Sequence, residues 1–166
     1  ASRGLGDVYK RQNLVKKYLQ DFGFFDELSE EYAGKSILVT GGAGAIGSNL
    51  IIALSFLVGE SGRVIVLDDL SSSKTKNPWN IVPMDNVMFI LGDVSDDIML
   101  KRIFHEKVDL VFHLAAFFAN QNSVDFPEKS AKTDVIGLIK LLEYSVVSNI
   151  ERFVYASSGC SIYGSH

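Results

Sequence analysis

The chain has 166 residues, of which 47% are hydrophobic and 22% are charged, and its formal net charge is −4 with a pI near 5.3. The length predicts one domain, and the apolar content suffices for a core. Mild acidity argues against nucleic acid as a partner, because phosphate neutralisation needs clustered Lys and Arg. The most apolar run, residues 46–58, is shorter than the roughly 20 residues of a membrane span, so no membrane partner is expected. The single cysteine, Cys160, cannot form an internal disulfide and favours a cytoplasmic location.

The opening residues differ from the rest of the chain. Residues 2–12 show no hydrophobic period, and the stretch from Asp7 to Gln12 back-translates to GATGTGTATAAGAGACAG, one frame of a common transposase-type sequencing adapter. We interpret residues 1–12 as adapter-derived and exclude them from the fold. The alternative is a natural basic tail that contains glycine. Under the adapter interpretation the chain is a partial reading frame, and its end at His166 is equally accidental.

Helices and strands are predicted in alternation. Weak helical spacing predicts a lead-in segment over residues 13–34. From residue 35 onward, short β-branched runs predict five strands: KSILVT (35–40), RVIVLD (63–68), NVMFIL (86–91), VDLVFHLA (108–115) and RFVYAS (152–157). Because helical segments separate most of these strands, the pattern predicts an α/β, Rossmann-like, doubly wound parallel sheet in the order 3-2-1-4-5.

The predicted helices have recognisable starts. One covers residues 45–57, and a second covers residues 95–106 with Ser95 as its N-cap. A third begins at the DFPE stretch, residues 125–128, which resembles a capping box with proline in the first turn. This helix carries one apolar stripe, which either packs on the sheet or pairs with a second subunit: Val135, Leu138, Ile139, Leu142 and Val146.

A glycine-rich turn follows the first predicted strand. In LVTGGAGAIGSNL, Gly41, Gly44 and Gly47 have the spacing G-x-x-G-x-x-G, one residue longer than the dinucleotide fingerprint. Glycines in such a turn permit a tight bend, close approach of a pyrophosphate, and close packing of helix on strand. No side chain caps the helix that follows, so its N–H groups and dipole are left for an anion.

An acidic residue stands at the tip of the second predicted strand. Asp68 lies 21 residues after Gly47. A carboxylate there accepts hydrogen bonds from ribose hydroxyls and repels a 2′-phosphate, so NAD is favoured over NADP. Asp69 beside it has the alternative role of a turn residue. The chain is therefore predicted to bind a dinucleotide, with NAD as the cofactor.

Five motifs in order resemble those of a known family. TGGAGAIG, LDDLSSS, GDV, HLAA and FVYASSGCSIYG are similar to the motifs of the extended short-chain dehydrogenase/reductases. The closest group is the NAD-dependent epimerases and dehydratases, UDP-glucose 4-epimerase-like enzymes. The resemblance covers residues 35–164. It implies that residues 35–166 are an NAD-binding Rossmann domain, truncated before its last strands and a substrate domain.

The resemblance also implies an activity and partners. The intact enzyme would oxidise a sugar hydroxyl, often at C4 of a UDP-sugar, and return the hydride to the other face, so NAD is retained. The expected partners are a nucleotide-sugar substrate and, in the intact protein, a second copy of the chain. Two alternatives remain open: another NAD-dependent sugar-nucleotide oxidoreductase or dehydratase, and a non-catalytic protein that senses dinucleotides.

Cofactor contacts are carried over from the family residue by residue. The pyrophosphate contacts would be Gly41, Gly44, Ala45, Ile46 and Gly47. The contacts to the adenosine ribose and nearby phosphate would be Asp68, Asp69, Ser72 and Ser73. The contacts to adenine would be Asp93 and Val94, and those on the nicotinamide side would be Leu114, Ala115 and Ala116. Asp134 stands where the family usually has Asn, and a carboxylate lacks the donors of an amide.

The catalytic set implied by the family is incomplete in this sequence. The family uses a Ser or Thr together with the Tyr and Lys of a Y-x-x-x-K pair, and no such pair occurs here. Gly159 stands at the usual Ser/Thr position, which leaves Ser158 as the candidate for a substrate contact or as a turn residue bonded to the backbone. Cys160 and Ser161 stand where dehydratases carry an acidic pair, which favours epimerisation. The 166-residue chain alone is expected to be inactive.

Two other features carry no predicted chemistry. His113, at the end of the fourth predicted strand, is interpreted as a packed residue and not as a base. No spacing of His, Cys and Asp indicates a metal site, so none is expected.

Overall fold

A five-stranded parallel sheet organises the fold. The structure, a computed structural model, describes residues 5–72, 83–117 and 120–157. The strands within these ranges are β1 (Ser36–Thr40), β2 (Arg63–Asp68), β3 (Val87–Leu91), β4 (Leu110–His113) and β5 (Arg152–Tyr155). They lie in the order β3-β2-β1-β4-β5, and every pairing is parallel. The predicted fold class and strand order are confirmed.

The helices lie before, between and over the strands. They are α1 (Leu5–Asp21), α2 (Phe25–Tyr32), α3 (Ala45–Val58), α4 (Asp97–His105), α5 (Asn120–Asp125), α6 (Pro127–Ser130) and α7 (Leu138–Val147). A π-helical segment, Ala131–Gly137, joins α6 to α7. None of the helices in the described ranges is long and apolar enough to cross a membrane.

The first helix includes residues that the sequence assigned to an adapter. Residues 5–12 form its first half, and the guanidinium of Arg11 donates hydrogen bonds to Ser48 Oγ (2.6 Å) and Asn49 Oδ1 (3.0 Å) of α3. Contacts within a folded chain carry no information about the DNA that encoded it. The adapter origin of residues 1–12 therefore stays a prediction.

Both faces of the central strands β1 and β2 are buried. Ile37 and Val39 of β1 pack in a cluster with α3, whereas Leu38 between them packs on the opposite side with Leu100 of α4 and Leu141 of α7. Side chains alternate across a strand, so a strand covered on both faces must be apolar throughout, as KSILVT nearly is. Since all the strands point the same way, their carboxyl ends meet at one edge of the sheet.

Helix α4 begins one residue later than its sequence suggests. Its N-cap is Asp96, whose Oδ1 accepts hydrogen bonds from Ile98 N (2.9 Å) and Met99 N (3.2 Å). The prediction of Ser95 as the cap is wrong, because Ser95 is buried and donates instead to the carboxylate of Asp93. Both residue types suit a cap, and only the backbone position distinguishes them.

An Asp96→Ala variant should lower the free energy of unfolding by about 1 kcal/mol, the usual effect of removing an N-cap side chain. Urea denaturation followed by circular dichroism measures this. Lys101→Ala, at an exposed position inside the same helix, is the control and should change stability little. If the two variants were equally stable, the Asp96 cap would contribute nothing.

The start of α6 also differs from its prediction. Pro127 occupies the first turn as expected, but the N-cap is Phe126, which makes no side-chain cap. Asp125 belongs to the end of α5 and accepts a hydrogen bond from Gln121 Nε2 at 2.8 Å. The capping-box interpretation of DFPE is therefore wrong, because the short helix α5 already uses its first residue.

The apolar stripe of α7 does not pack on the sheet. The buried positions of this region are Gly137, Leu141 and Ser145, spaced four apart. Because two of these three residues are small, the helix can lie close to its neighbours, and most of the stripe is exposed, with Leu138 half-buried. Val135 is 51% exposed and Val146 is 75% exposed, and Ile139 and Leu142 are also exposed. The alternative of pairing with a second subunit stays a prediction.

Candidate functional site

A cleft of about 670 Å³ opens at the carboxyl edge of the sheet. This volume is ordinary for a small-molecule site, and the edge of a doubly wound sheet where strand order reverses is the usual place for a ligand. Many of the residues predicted to hold a dinucleotide line it: Gly41, Gly44, Ala45, Asp68, Asp69, Ser72, Asp93, Val94, Leu114, Ala115 and Ala116. The tertiary structure thus brings the ends of four strands together around one cleft.

Some predicted residues lie elsewhere. The side chain of Ile46 is 73% exposed and does not line the cleft, and Gly47 is buried behind the glycine loop. Asp134 also lies outside the lining. Ser73 and Ser158 lie outside the described residues. Contacts of Ile46 and Gly47 with a ligand would therefore run through backbone N–H groups at the start of α3.

The three glycines of the spaced motif have different structural roles. Gly41 has φ of 71°, and a Cβ on it would lie 2.6 Å from the backbone N of Ala115, so this turn abuts the segment after β4. A Cβ on Gly47 would lie 2.5 Å from Gly41 O, which shows how closely α3 packs on the loop. Gly44 is the exposed N-cap of α3 and borders the cleft. Glycine is thus required sterically at Gly41 and Gly47.

A fourth glycine was missed by the spacing argument. Gly42 is buried, and a Cβ on it would lie 2.5 Å from Val66 Cγ1 and 2.7 Å from Ile51 Cδ1. It lets the loop lie against β2 and α3. The doubled glycine in TGGAG is the signal that could have identified it, although glycine pairs are frequent in turns for other reasons.

The start of α3 is suited to an anion. Its N-cap Gly44 provides no side-chain hydrogen bond, and the first turn contains no acidic residue. The first N–H groups of any helix lack intrahelical acceptors, and the helix dipole adds partial positive charge there. The predicted absence of a side-chain cap is confirmed, and the cleft lies directly before this helix.

The carboxylate of Asp68 connects the glycine loop to the turn after β2. Its Oδ2 accepts a hydrogen bond from Ala43 N and its Oδ1 accepts one from Leu70 N, both at 2.8 Å. A carboxylate offers about four acceptor sites, and the hydrogen bonds from the described residues occupy two of them. Leu70 adopts a left-handed conformation with φ of 55°, which is uncommon for a non-glycine residue and tends to mark functional sites.

Asp69 has the turn role that the sequence left open, and it also borders the cleft. Its Oδ1 accepts a hydrogen bond from Ser71 N at 2.8 Å, which is the geometry of a turn residue. It is also exposed and lines the cleft together with Ser72. Its turn role is therefore evident, and any contact with a ligand would be additional.

Asp93 is held from two directions. Its Oδ1 accepts hydrogen bonds from Ser95 N (2.8 Å) and Ser95 Oγ (2.7 Å), and its Oδ2 accepts one from Lys132 Nζ (2.9 Å). Burial by itself raises the pKa of Asp93, but the hydrogen bonds from Ser95 and Lys132 outweigh it and hold this pKa below its usual value. The side chain is therefore a fixed carboxylate at one end of the cleft.

Further lining residues were not predicted from the sequence. Most are chain neighbours of predicted residues: Ala43, Leu67, Leu70, Ser71, Gly92 and Phe117. Lys129, Lys132 and Thr133 come from α6 and the π-helical segment, far along the chain from the other lining residues. No sequence signal places them at the cleft, because their approach depends on how this segment crosses the sheet edge.

Asp134 supports the backbone of the segment after β4. Its Oδ1 accepts a hydrogen bond from Phe117 N (2.7 Å), and its Oδ2 accepts one from Ser130 Oγ (2.8 Å). These contacts need only acceptors, so replacement of the family's usual Asn by Asp is compatible with the fold. Asp134 does not line the cleft itself. It fixes the segment after β4, which does.

His113 is a packed residue, as expected. It is 1% exposed, its Nδ1 lies 2.6 Å from Thr40 Oγ1, and its ring contacts Phe153 and Tyr155. Burial lowers the pKa of His113 to about 4, against a smaller raising effect from the charge of Asp134. The imidazole is thus neutral near pH 7 and is enclosed by protein.

Protonation of His113 should make stability depend on pH. The pKa of His113 is near 6.5 in the unfolded chain and about 4 in the folded one, so the unfolded state binds more protons between these values. Above pH 6.5 this group should not lower the free energy of unfolding. As the pH drops to 4, the free energy of unfolding should fall by up to roughly 3 kcal/mol. NMR titration of the His113 ring measures the folded pKa, and a midpoint near 6.5 would contradict the prediction.

Comparison with known proteins agrees with this geometry. The model of the NAD dependent epimerase/dehydratase family matches residues 37–166. The UDP-glucose 4-epimerase of Mycolicibacterium smegmatis is 35% identical over 127 residues, which are 76% of this chain and 40% of that protein. This chain therefore spans about two fifths of the length of that relative.

Solved structures give the same result. The structure of epimerase Mth375 from Methanothermobacter thermautotrophicus is 50% identical with a TM-score of 0.78, over 86% of this chain and 41% of that one. The Thermus thermophilus UDP-glucose 4-epimerase in complex with NAD is 35% identical with a TM-score of 0.64, over 78% and 39% of the two chains. The glycine loop, the acidic strand tip and the cleft between them thus lie in a chain that belongs to the NAD dependent epimerase/dehydratase family.

Proposed function

We propose that this chain is the NAD-binding portion of a nucleotide-sugar epimerase. The observation that carries the proposal is the placement of Asp68, which lies in the cleft and bonds to both the glycine loop and the turn after β2. An acceptor at this point suits the ribose hydroxyls of NAD and disfavours a 2′-phosphate. The similarity to an epimerase solved with NAD supports the same cofactor.

We propose that different groups of residues hold the four parts of the dinucleotide. The pyrophosphate would lie against the uncapped start of α3, where backbone N–H groups and the dipole favour negative charge. The adenosine ribose would be held by Asp68, with Asp69 and Ser72 nearby, and Ser73, which lies outside the described residues, is proposed for the same contacts. The adenine would lie between Asp93 and Val94. The nicotinamide side would face Leu114, Ala115 and Ala116, next to the end of β4.

The proposed reaction is transient oxidation of a sugar hydroxyl, with C4 of a UDP-sugar as the favoured position. Bound NAD supplies the hydride acceptor for oxidation and the hydride donor for return to the other face of the ketosugar. Ser158 is proposed to contact the substrate. The chain lacks a Y-x-x-x-K pair, so we propose that the 166 residues alone bind NAD without epimerase turnover.

Sugar dehydration is the second candidate, since the family includes dehydratases. Dehydration needs an acid to protonate the departing hydroxyl, and the sequence has Cys160 and Ser161 at the corresponding positions. Epimerisation is therefore the favoured proposal. A protein that senses dinucleotides without redox chemistry is the remaining alternative, supported by Gly159 at the usual Ser/Thr position.

Two further proposals concern the surroundings of the protein. The exposed apolar side chains of α7, such as Val146, support a homodimer of the intact protein. The single cysteine supports a cytoplasmic location.

Isothermal titration calorimetry of the 166-residue chain tests the cofactor proposal. NAD should bind at one site per chain, and at least about tenfold more tightly than NADP, a difference of about 1.4 kcal/mol. Equal affinity for the two cofactors would contradict the role of Asp68. Absence of binding to either would overturn the proposed function. Conversion of UDP-glucose to UDP-galactose by this chain alone would contradict its proposed inactivity.

A further inference from the structure

Lys132 approaches the cleft from the π-helical segment, which lies outside the glycine loop and the strand tips that the sequence motifs cover. Lys132 belongs to the π-helical segment, and its Nζ donates a hydrogen bond to Asp93 Oδ2 at 2.9 Å. Both residues line the cleft. Short π-helical segments inside α-helices are rare and frequently occur at functional sites.

Both oxygens of the Asp93 carboxylate accept hydrogen bonds. Ser95 holds Oδ1 through its backbone N–H and its hydroxyl, whereas Lys132 is the contact made to Oδ2 from across the cleft. Ser95 is itself held, since Lys140 Nζ of α7 donates to its carbonyl oxygen at 2.9 Å. Among the described residues, Lys132 is therefore the group that holds Oδ2 itself.

The charged groups around this pair favour a charged lysine. The hydrogen bond and charge of Asp93 raise the pKa of Lys132, and the charges of Asp96 and Asp69 raise it further. Asp96 stands at the start of α4 and Asp69 follows β2, so the charges of acidic groups from two elements act on the ammonium. Lys132 thus remains a cation over the whole range in which Asp93 titrates.

We propose that Lys132 is a positioning residue for base recognition, which holds the Asp93 carboxylate facing the cleft so that it accepts a hydrogen bond from the exocyclic amino group of adenine. This inference rests on the proposed function, because it assumes that a dinucleotide binds here. A carboxylate fixed in this way is an acceptor only. It suits a 6-amino purine and disfavours a 6-oxo purine, whose oxygen would face it with no hydrogen between them.

A purely structural clamp would give a different result. Lys132 is 59% exposed, and exposed ion pairs contribute little to folding stability. Its removal should therefore leave the fold intact. The property that should change is the choice between bases, which a clamp without contact to the ligand would not affect.

Calorimetric titration of the full chain with NAD and with nicotinamide hypoxanthine dinucleotide at pH 7.5 tests the inference. The wild-type chain should prefer NAD by about tenfold or more, the effect of one hydrogen bond to a charged group. Lys132→Met should lose most of this preference, and Lys132→Arg should retain it, since the guanidinium also donates to a carboxylate. Lys101→Met, at an exposed position on α4, is the matched control and should bind like wild type.

A pH series gives a second readout. The preference should disappear at a higher pH in Lys132→Met than in wild type, because Asp93 without its lysine protonates sooner and then can donate to a 6-oxo group. An unchanged preference in Lys132→Met, or tighter binding of NAD by that variant, would overturn the inference and leave the proposed function standing. A wild-type chain that binds neither dinucleotide would overturn both.

Discussion

A Gly41→Ala variant is expected to lose about 2–4 kcal/mol of unfolding free energy and, with it, binding of NAD. Two effects add at this position. Alanine in the left-handed conformation, with φ near 71°, costs about 1 kcal/mol or slightly more. The new Cβ would also lie 2.6 Å from Ala115 N and 2.7 Å from Leu114 C. These are backbone atoms directly after β4, so they move only if the strand or the glycine loop moves.

The chain offers matched controls for Gly41→Ala. Gly23 has a similar φ, 74°, but no atom lies within 4 Å of a Cβ placed there, so Gly23→Ala isolates the conformational cost of about 1 kcal/mol. Gly47→Ala isolates the steric cost, since its Cβ would meet Gly41 O at 2.5 Å in a helical conformation. Urea denaturation gives the three unfolding free energies. Equal destabilisation by Gly41→Ala and Gly23→Ala would show that the approach to β4 is unimportant.

Replacing Asp68 with alanine is expected to weaken NAD binding by at least about 100-fold, since two hydrogen bonds to a carboxylate contribute roughly 1.5 kcal/mol or more each. The same change removes the carboxylate that accepts hydrogen bonds from the N–H groups of Ala43 and Leu70, so the glycine loop and the turn after β2 lose a shared anchor. Asp68→Asn should retain part of the affinity for NAD but lose much of the preference over NADP, because the negative charge is gone.

Fluorescence titration with NADH and NADPH measures both expectations for Asp68. Circular dichroism of each variant separates loss of binding from loss of fold. Asp26→Asn, in the exposed first turn of α2, removes the same charge at a position outside the cleft lining and should bind like wild type. If Asp68→Asn discriminated against NADPH as strongly as wild type, the carboxylate would not be the source of that selectivity.

The sequence alone predicted the sheet because its evidence is local. Each strand is a short apolar run, and segments with helical spacing or turn residues separate these runs, so chain order and the handedness of parallel crossovers left few arrangements. The glycine loop was also readable. Gly41 and Gly47 occupy positions where the structure leaves no room for a Cβ, which is why the motif requires glycine there.

The sequence did not predict which of two adjacent residues caps a helix, or which face of a helix is buried. Ser95 and Asp96 are both good N-cap residues, and the assignment of the cap to Asp96 depends on where the backbone turns into α4. The stripe that includes Val135 and Val146 had the spacing of a buried helix face. It is exposed because the small residues Gly137 and Ser145 let α7 lie close on another side.

The sequence by itself determined the fold class, the strand order, the loop that begins α3 and the acidic tip of β2, since these depend on local patterns along the chain and on the fixed handedness of parallel crossovers. Only the tertiary structure revealed that Asp134 supports the backbone of Phe117 and that Lys132 reaches Asp93 across the cleft. Asp93 and Lys132 are far apart in the chain, and a hydrogen bond between them depends on how the segment from α6 to α7 crosses the sheet edge. No local preference of either residue encodes that distance.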